Sequence, residues 1–434
     1  MPAASPMTEG PRPVSPRRVH PWVFMVLIAP FGVMGGYLSV AVGYLLVHAG
    51  VSVAQVAALV ALGLLPHTWK FLWAPIADTT LSRKRWYLLS AIVSAAGIAA
   101  LGILHDQVQN LALFSAIVLV ANVASTFLGM SVESLLALTT PDEERGRAGG
   151  WFQAGNLGGT GIGGGAGLWV AQHMHPHWVS GALVGGVCFL CCLALFFVPE
   201  PPADSRSGGL PKSLVQVGRN LWNVARSRVG FVALVLCFLP IGSGAASGLW
   251  SAVAGNWHAT ADAVALATGV MAGFASAFGC FLGGWLCDRM ERKAAYAAYG
   301  VLEAVCAVAM ALAPRTEAMY VVFTMLYAVV TGMTYAGFTA FVLEAMGLGS
   351  AASKYNLFAA LSNMPIYYMT SVDGWAYSRW GAGGMLYTEA ALGMAGLFMF
   401  IVVVSLLPKP KPSLAEGSDP PDSVFGRPRN LDAE

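Results

Sequence analysis

Ala74-Pro75-Ile76-Ala77-Asp78, followed by Arg83-Lys84-Arg85, returns later in the chain as Gly283-Gly284-Trp285-Leu286-Cys287-Asp288, followed by Arg289, Arg292 and Lys293. The two aspartates stand 210 positions apart, and the same interval separates Pro30-Phe31-Gly32 from Pro240-Ile241-Gly242. Glu133 and Glu344 keep that register to within one residue. A chain that repeats its landmarks in this way, in a strongly apolar background, points to a secondary transporter built from two related bundles.

The composition names the solvent. Hydrophobic residues make up 56% of the chain and charged residues only 11%, a balance that a soluble domain does not show. Twelve apolar stretches are long enough to cross a hydrocarbon core of about 30 Å, which takes roughly 20 helical residues. They cover 21–47, 51–75, 86–104, 110–138, 148–172 and 178–198 in the first half. In the second half they cover 230–254, 262–286, 294–313, 318–345, 355–378 and 385–407. Backbone in hydrocarbon must satisfy its own hydrogen bonds, so these stretches are expected to be helices.

With the N-terminus placed inside, the loops and tails on that side hold 21 of the 24 Lys and Arg residues. Only Arg315 and Arg379 fall outside, and Lys70 lies within a span. This asymmetry predicts both termini on the cytoplasmic face. The first apolar run follows Arg17 and Arg18 as an uncleaved anchor would, and it is too long for a signal-peptide core. The net charge of +2 is thus a topology signal, and no nucleic-acid partner is implied.

All seven cysteines fall in the apolar stretches or at their inner ends, so no disulfide framework is expected. Cys188-x-x-Cys191-Cys192 reads better as packing residues than as metal ligands. His173-x-His175-x-His177 lies in an outer loop without a nearby carboxylate or cysteine to complete a site, and a polar loop is the expectation. No metal or cofactor is expected.

The expected organisation is a tail over 1–20, a six-helix bundle over 21–198, a linker over 199–229, a second bundle over 230–407 and a tail over 408–434. Pro, Gly and charged residues mark the tails as disordered. Within the linker, Leu214, Val217, Leu221 and Val224 recur near helical spacing, which predicts an amphipathic surface helix over 211–226.

The repeated Asp-plus-basic loop resembles motif A of the major facilitator superfamily, and the second copy, Asp288 with Arg289 and Arg292, is the closer match. The resemblance implies a twelve-helix fold of two pseudo-equivalent six-helix bundles, with Asp78, Arg83 and Arg85 and their second-half counterparts acting as a gating latch. Physically, an aspartate at a helix end accepts hydrogen bonds from a neighbouring helix N-terminus, while the basic residues anchor the inner face.

A narrower resemblance rests on Leu65-Pro66-His67-Thr68-Trp69-Lys70-Phe71-Leu72-Trp73-Ala74-Pro75, on Pro141-Asp142-Glu143-Glu144-Arg145-Gly146, and on Lys354 to Pro365 with Asp373-Gly374-Trp375 following. These blocks resemble the peptide and acetyl-coenzyme A transporter branch, whose bacterial members include the anhydromuropeptide permeases. Carried over by position, Lys70 is the branch's lysine in helix 2 and Glu133 its acid late in helix 4. Where further charges are expected in the muropeptide permeases, this chain has Leu136, Leu138, Leu157 and Ile366. Their absence argues for a smaller or neutral cargo.

An ionised side chain in the bilayer core costs about 2.5 to 3.5 kcal/mol on insertion scales, so each one must find a partner, water or a proton. Lys70 either snorkels to the inner face or meets Glu133, which is the coupling-proton candidate. Glu344, the repeat-mate of Glu133, reads as a gate or a solvated helix end. Glu303 lies near the midplane of helix 9, peripheral by resemblance, where an acid bonds its neighbours.

Uncharged polar residues trace a candidate lining: Tyr37 and Tyr44 in helix 1, Gln153, Asn156 and Thr160 in helix 5, Ser243, Ser247 and Trp250 in helix 7, and Asn356, Asn363 and Tyr367 in helix 11. The alternative is hydrogen bonding between helices. Pro30 and Pro240 are expected to bend the first helix of each half. The glycine run from Gly155 to Gly167 fits close packing better than an antiporter motif, since Thr160 stands where that motif has its proline.

The reading is a monomeric, multi-pass transporter in a bacterial inner membrane, moving a small organic solute by alternating access, with proton-coupled import as the expected mode. Efflux by proton antiport stays open. So, in other classes, do a non-transporting sensor and a membrane-embedded transferase, although no catalytic cluster surrounds His67 in sequence.

Overall fold

The computed structural model describes residues 19–104, 110–140, 145–176, 178–199, 209–287, 289–346 and 357–406. Among these the regular structure is helical throughout. The first half contains α1 (Trp22–His48), α2 (Val53–Thr79), α3 (Arg83–Leu104), α4 (Leu111–Thr139), α5 (145–173) and α6 (Trp178–Phe197). The second contains α7 (228–257), α8 (Ala261–Cys287), α9 (Arg292–Leu312), α10 (Glu317–Met346), α11 (357–380) and α12 (382–406). Nine described stretches are long and apolar enough to cross a bilayer, one of them the 50-residue run of α11 and α12. That run divides at Gly381, whose φ of 67° suits glycine alone. With α5 and α7 the crossings come to twelve.

Local chemistry explains where the helices begin. Ser52 and Gln55 close a reciprocal capping box on α2, and Asn110, Ser227 and Thr260 each accept from a first-turn amide of α4, α7 and α8. Each bundle then packs through glycine. Gly32 and Gly36 of α1 lie against the backbone of Asn156 and Thr160, while Gly155, Gly159 and Gly163 of α5 lie against Met25, Ala29 and Val33. Gly279 and Gly283 of α8 meet Val329 and Met333 of α10 in the same way. With no hydrophobic drive between helices in lipid, such close backbone approach supplies the packing energy.

One expectation needs correction. The span over 230–254 is not a single helix: it stops at Phe238 and resumes at Ala245. Pro240 removes a ladder donor, and Gly242 and Gly244 adopt left-handed φ of 57° and 68°, so the chain turns through an irregular link. By contrast Pro30 sits inside an unbroken helix. The linker forms a helix over Gly209–Arg226, and its Leu221 joins Phe71 of α2 in the apolar cluster of α7, α9, α11 and α12.

Candidate functional site

The end of the molecule that carries the start of α1 and the linker helix is termed here the near end, and the opposite one the far end. Three seams close the two bundles together at the far end. Between α5 and α8, Gly165 and Gly269 touch so closely that a side chain on either would meet backbone. Between α2 and α11, Gly374 rests on Ala54 and Ala57. Between α1 and α7, Ser251 Oγ donates to the Ser39 carbonyl at 2.5 Å. An exposed His173–Asp262 pair at 3.8 Å spans the first of these seams.

Below the seams, the Lys70 ammonium donates to Glu133 Oε1 at 3.3 Å, joining α2 to α4. The lysine side chain is 15% exposed and the glutamate 33% exposed, so the pair is neither sealed nor free. His67, one turn away, lies edge-on to Phe31 and within 3.5 Å of Asn122 Oδ1. On α5, Gln153 is exposed and accepts from Asn156, while Thr160 donates back to the Asn156 carbonyl. On α7, Ser247 is exposed and donates to the Gly244 carbonyl.

Several predicted lining residues are instead packed in the interior. Tyr37 is fully buried against Gly167, Tyr44 is buried and stacked on His48 at 3.9 Å, and Trp250 is buried edge-on to Tyr327. All three belong to an apolar cluster that draws on both halves, and they are closed off from solvent in this conformation. Asn363 donates to the Ala359 carbonyl and Tyr367 is half-buried. Of the latch residues, Arg83 and Arg292 are half-buried at helix starts, Arg85 is exposed, and Arg289 stacks over Trp285 at 3.7 Å. Asn356 and Asp288, like the side chains of Asp78 and Glu344, lie outside the described residues.

The second half holds a constellation that the sequence reading passed over. Glu303 of α9, Asp373 of α11 and Glu389 of α12 are all buried, at 3%, 0% and 5% exposure. Tyr327 of α10 bridges two of them, lying 2.6 Å from Glu389 Oε1 and 3.2 Å from Glu303 Oε1. The break in α7 supplies further donors: Gly244 N–H to Glu303 at 2.8 Å, Ala246 N–H to Glu389 at 2.9 Å, and Ser243 Oγ to Glu389 at 3.4 Å. Amides released by the broken helix thus end on carboxyls from two other helices. The signal was available, since Glu389 is an acid inside an apolar run and Asp373 belongs to a quoted motif.

Two helical bundles closed together at one end, with a partly exposed charge pair inside the first, have the architecture of a secondary membrane transporter. The Major Facilitator Superfamily profile matches residues 22–366, and the chain belongs to that superfamily. The chain is 24% identical over 355 residues to the anhydromuropeptide permease of Escherichia coli (strain K12), covering 77% of this chain and 70% of that one. Its fold resembles the crystal structure of the nucleoside transporter NupG, with TM-score 0.66, 13% identity, and coverage of 89% of this chain and 99% of that one. It also resembles the inward-open xylose transporter XylE from E. coli, with TM-score 0.64, 12% identity, and coverage of 91% and 97%.

Proposed function

We propose that the protein imports a small, hydroxyl-rich, largely uncharged organic solute by alternating access, coupled to protons. The observation that carries this reading is the partly exposed Lys70–Glu133 pair deep between helix ends. Lipid does not tolerate an ion pair with open faces, so its exposed side belongs to a watery passage between the bundles. Gln153, Asn156, Thr160, Ser247 and Tyr367 offer hydrogen bonds to a solute there. The far end is then the outer face, both termini are cytoplasmic, and the sealed seams correspond to a state closed to the outside.

The likeness to a permease for anhydromuropeptides, and in fold to nucleoside and xylose transporters, supports a sugar-containing cargo. Leu136, Leu138, Leu157 and Ile366 favour a cargo with less charge than a muropeptide. A monomer in the inner membrane, with units over 21–198 and 230–407 joined by the linker, completes the proposal. The motif-A residues Asp78 and Asp288 act as latches at the inner face, and Glu344 acts as a gate.

The test is uptake by proteoliposomes of radiolabelled anhydromuropeptide, uridine and xylose, with and without an imposed inward pH gradient. Gradient-stimulated accumulation of one of them supports the reading. Exchange of all three at the rate of empty vesicles, or gradient-driven extrusion, overturns it.

A further inference from the structure

We infer that Asp373 carries a proton while the far-end seams are sealed, and that it releases the proton when α2 and α11 part. The inference rests on the proposed alternating access, and it places a proton site in the second bundle, away from Lys70 and Glu133.

A count of donors comes first. Glu389 accepts from the Ala246 amide, Tyr327 and Ser243, and Glu303 accepts from the Gly244 amide. Asp373 is fully buried, no donor reaches either of its carboxyl oxygens, and its polar neighbour is the Glu389 carboxyl, to which it hydrogen-bonds only by holding a proton of its own. A buried carboxylate with no donor is the least tolerable of ionised groups, so the acid that lacks donors is the one that keeps its proton. Glu303 Oε2 and Thr331 Oγ1 at the α7 break are likewise buried without a partner.

The surroundings offer no cation. The charged groups felt by Asp373 are Glu389, then Glu303, both acids. From the other packed elements, α7 presents Ser243 and Trp250, α10 presents Tyr327, and α11 itself presents Tyr377, which accepts from Asn256. On α2, Gln55 is held by Ser52, while His67 and Lys70 face Asn122 and Glu133 within the first bundle. Among the described residues no three acids or histidines converge as a metal site. Three neighbouring carboxyls with no cation facing them do not all ionise together, and Asp373, which receives no donor, is the one that holds a proton.

Position links the proton to the gate. Gly374, the next residue, is the contact of α11 with Ala54 and Ala57 of α2. Alternating access must break that seam, and the break brings water to the neighbouring carboxyl. By linkage the sealed state binds more protons than the open one, so sealing is favoured at low pH and lost as pH rises, by up to about tenfold per pH unit for one proton.

The experiment needs no transported solute. Full-length protein carrying Ser251→Cys as a reporter in the α1–α7 seam, with the seven native cysteines replaced by serine, is labelled in nanodiscs with a membrane-impermeant maleimide. His48, His105, His173, His175, His177 and His258 are replaced by glutamine, so that no histidine on that side of the sequence titrates in the same range. The labelling rate, divided at each pH by that of the same thiol in denatured protein so that thiolate ionisation cancels, should rise with pH, and Asp373→Asn should hold that ratio low at every pH. A pH-independent ratio in the parent, or an unchanged pH dependence of the ratio in Asp373→Asn, overturns the inference whatever the transport assays give. If Asp373→Asn fails to fold, dicyclohexylcarbodiimide, which adds to protonated carboxyls, is applied to the otherwise unaltered protein and mapped by mass spectrometry. Modification at Asp373 that fades as pH rises supports the site, and modification of Glu303 or Glu389 with Asp373 untouched refutes it.

Discussion

Pro30-Phe31-Gly32 and Pro240-Ile241-Gly242 are the same landmark in the two halves, yet α1 runs unbroken through the first and α7 comes apart at the second. The difference lies in what the neighbours accept. Around α7, Glu303 and Glu389 take the amides of Gly244 and Ala246, so backbone released by the break stays satisfied. At the register of 210, the first half has Val93, Gly163 and Val179 where the second has Glu303, Asp373 and Glu389. Gly163 packs against Val33 of α1, and neither glycine nor valine offers a side-chain acceptor to compete with that helix's own ladder. The first half instead keeps its charge in the Lys70–Glu133 pair, which is partly exposed.

The largest expected effect comes from making the second half like the first. Glu303→Val with Glu389→Val strands two buried amides and the hydroxyls of Tyr327 and Ser243. At about 1 to 3 kcal/mol for each orphaned group, the second bundle should fail to fold or lose several kcal/mol. A thermal melt in detergent, read by fluorescence, measures it, and an unchanged melting temperature would break the comparison.

Next, Lys70→Ala leaves Glu133 unpaired, and proton-gradient-driven uptake should fall at least about tenfold. Adding Glu133→Ala should recover more stability than two independent losses allow, and a double-mutant cycle on melting curves reads that coupling.

Tyr327→Phe removes one bridging hydroxyl and should cost about 1 to 2 kcal/mol of stability, seen as a lower melting temperature. Ser247→Ala is the mildest change. Its exposed hydroxyl returns to its own turn, so stability should move by less than about 0.5 kcal/mol, and any effect should appear in the concentration for half-maximal uptake.

The duplicated landmarks, the apolar runs and the basic inner loops made the two-bundle architecture readable, because lipid leaves so few ways to satisfy a backbone. The Lys70–Glu133 pair was one of two readings, since a lysine at that depth needs either a partner or the inner face, and the structure shows the partner. Tyr37, Tyr44 and Trp250 are buried in this conformation, because a polar aromatic at helical spacing serves a core as well as a cavity and packing decides between them. The acid cluster was hidden by separation. Its members sit on three helices, at 303, 373 and 389, and nothing local in the sequence brings Asp373 and Glu389 to Glu303. Pro240 announced a bend, whereas a full break required knowing that acceptors stood opposite.

The account turns on the far-end seams parting and closing during transport. His173→Cys with Asp262→Cys, in protein whose native cysteines are serine, places one thiol on α5 and one on α8 across the pair that now spans them at 3.8 Å. Cross-linking with a short bifunctional methanethiosulfonate, followed by proteoliposome uptake, is the most direct measurement. The account predicts that the cross-link forms, abolishes uptake, and is reversed by a reductant. Full uptake by cross-linked protein would contradict it.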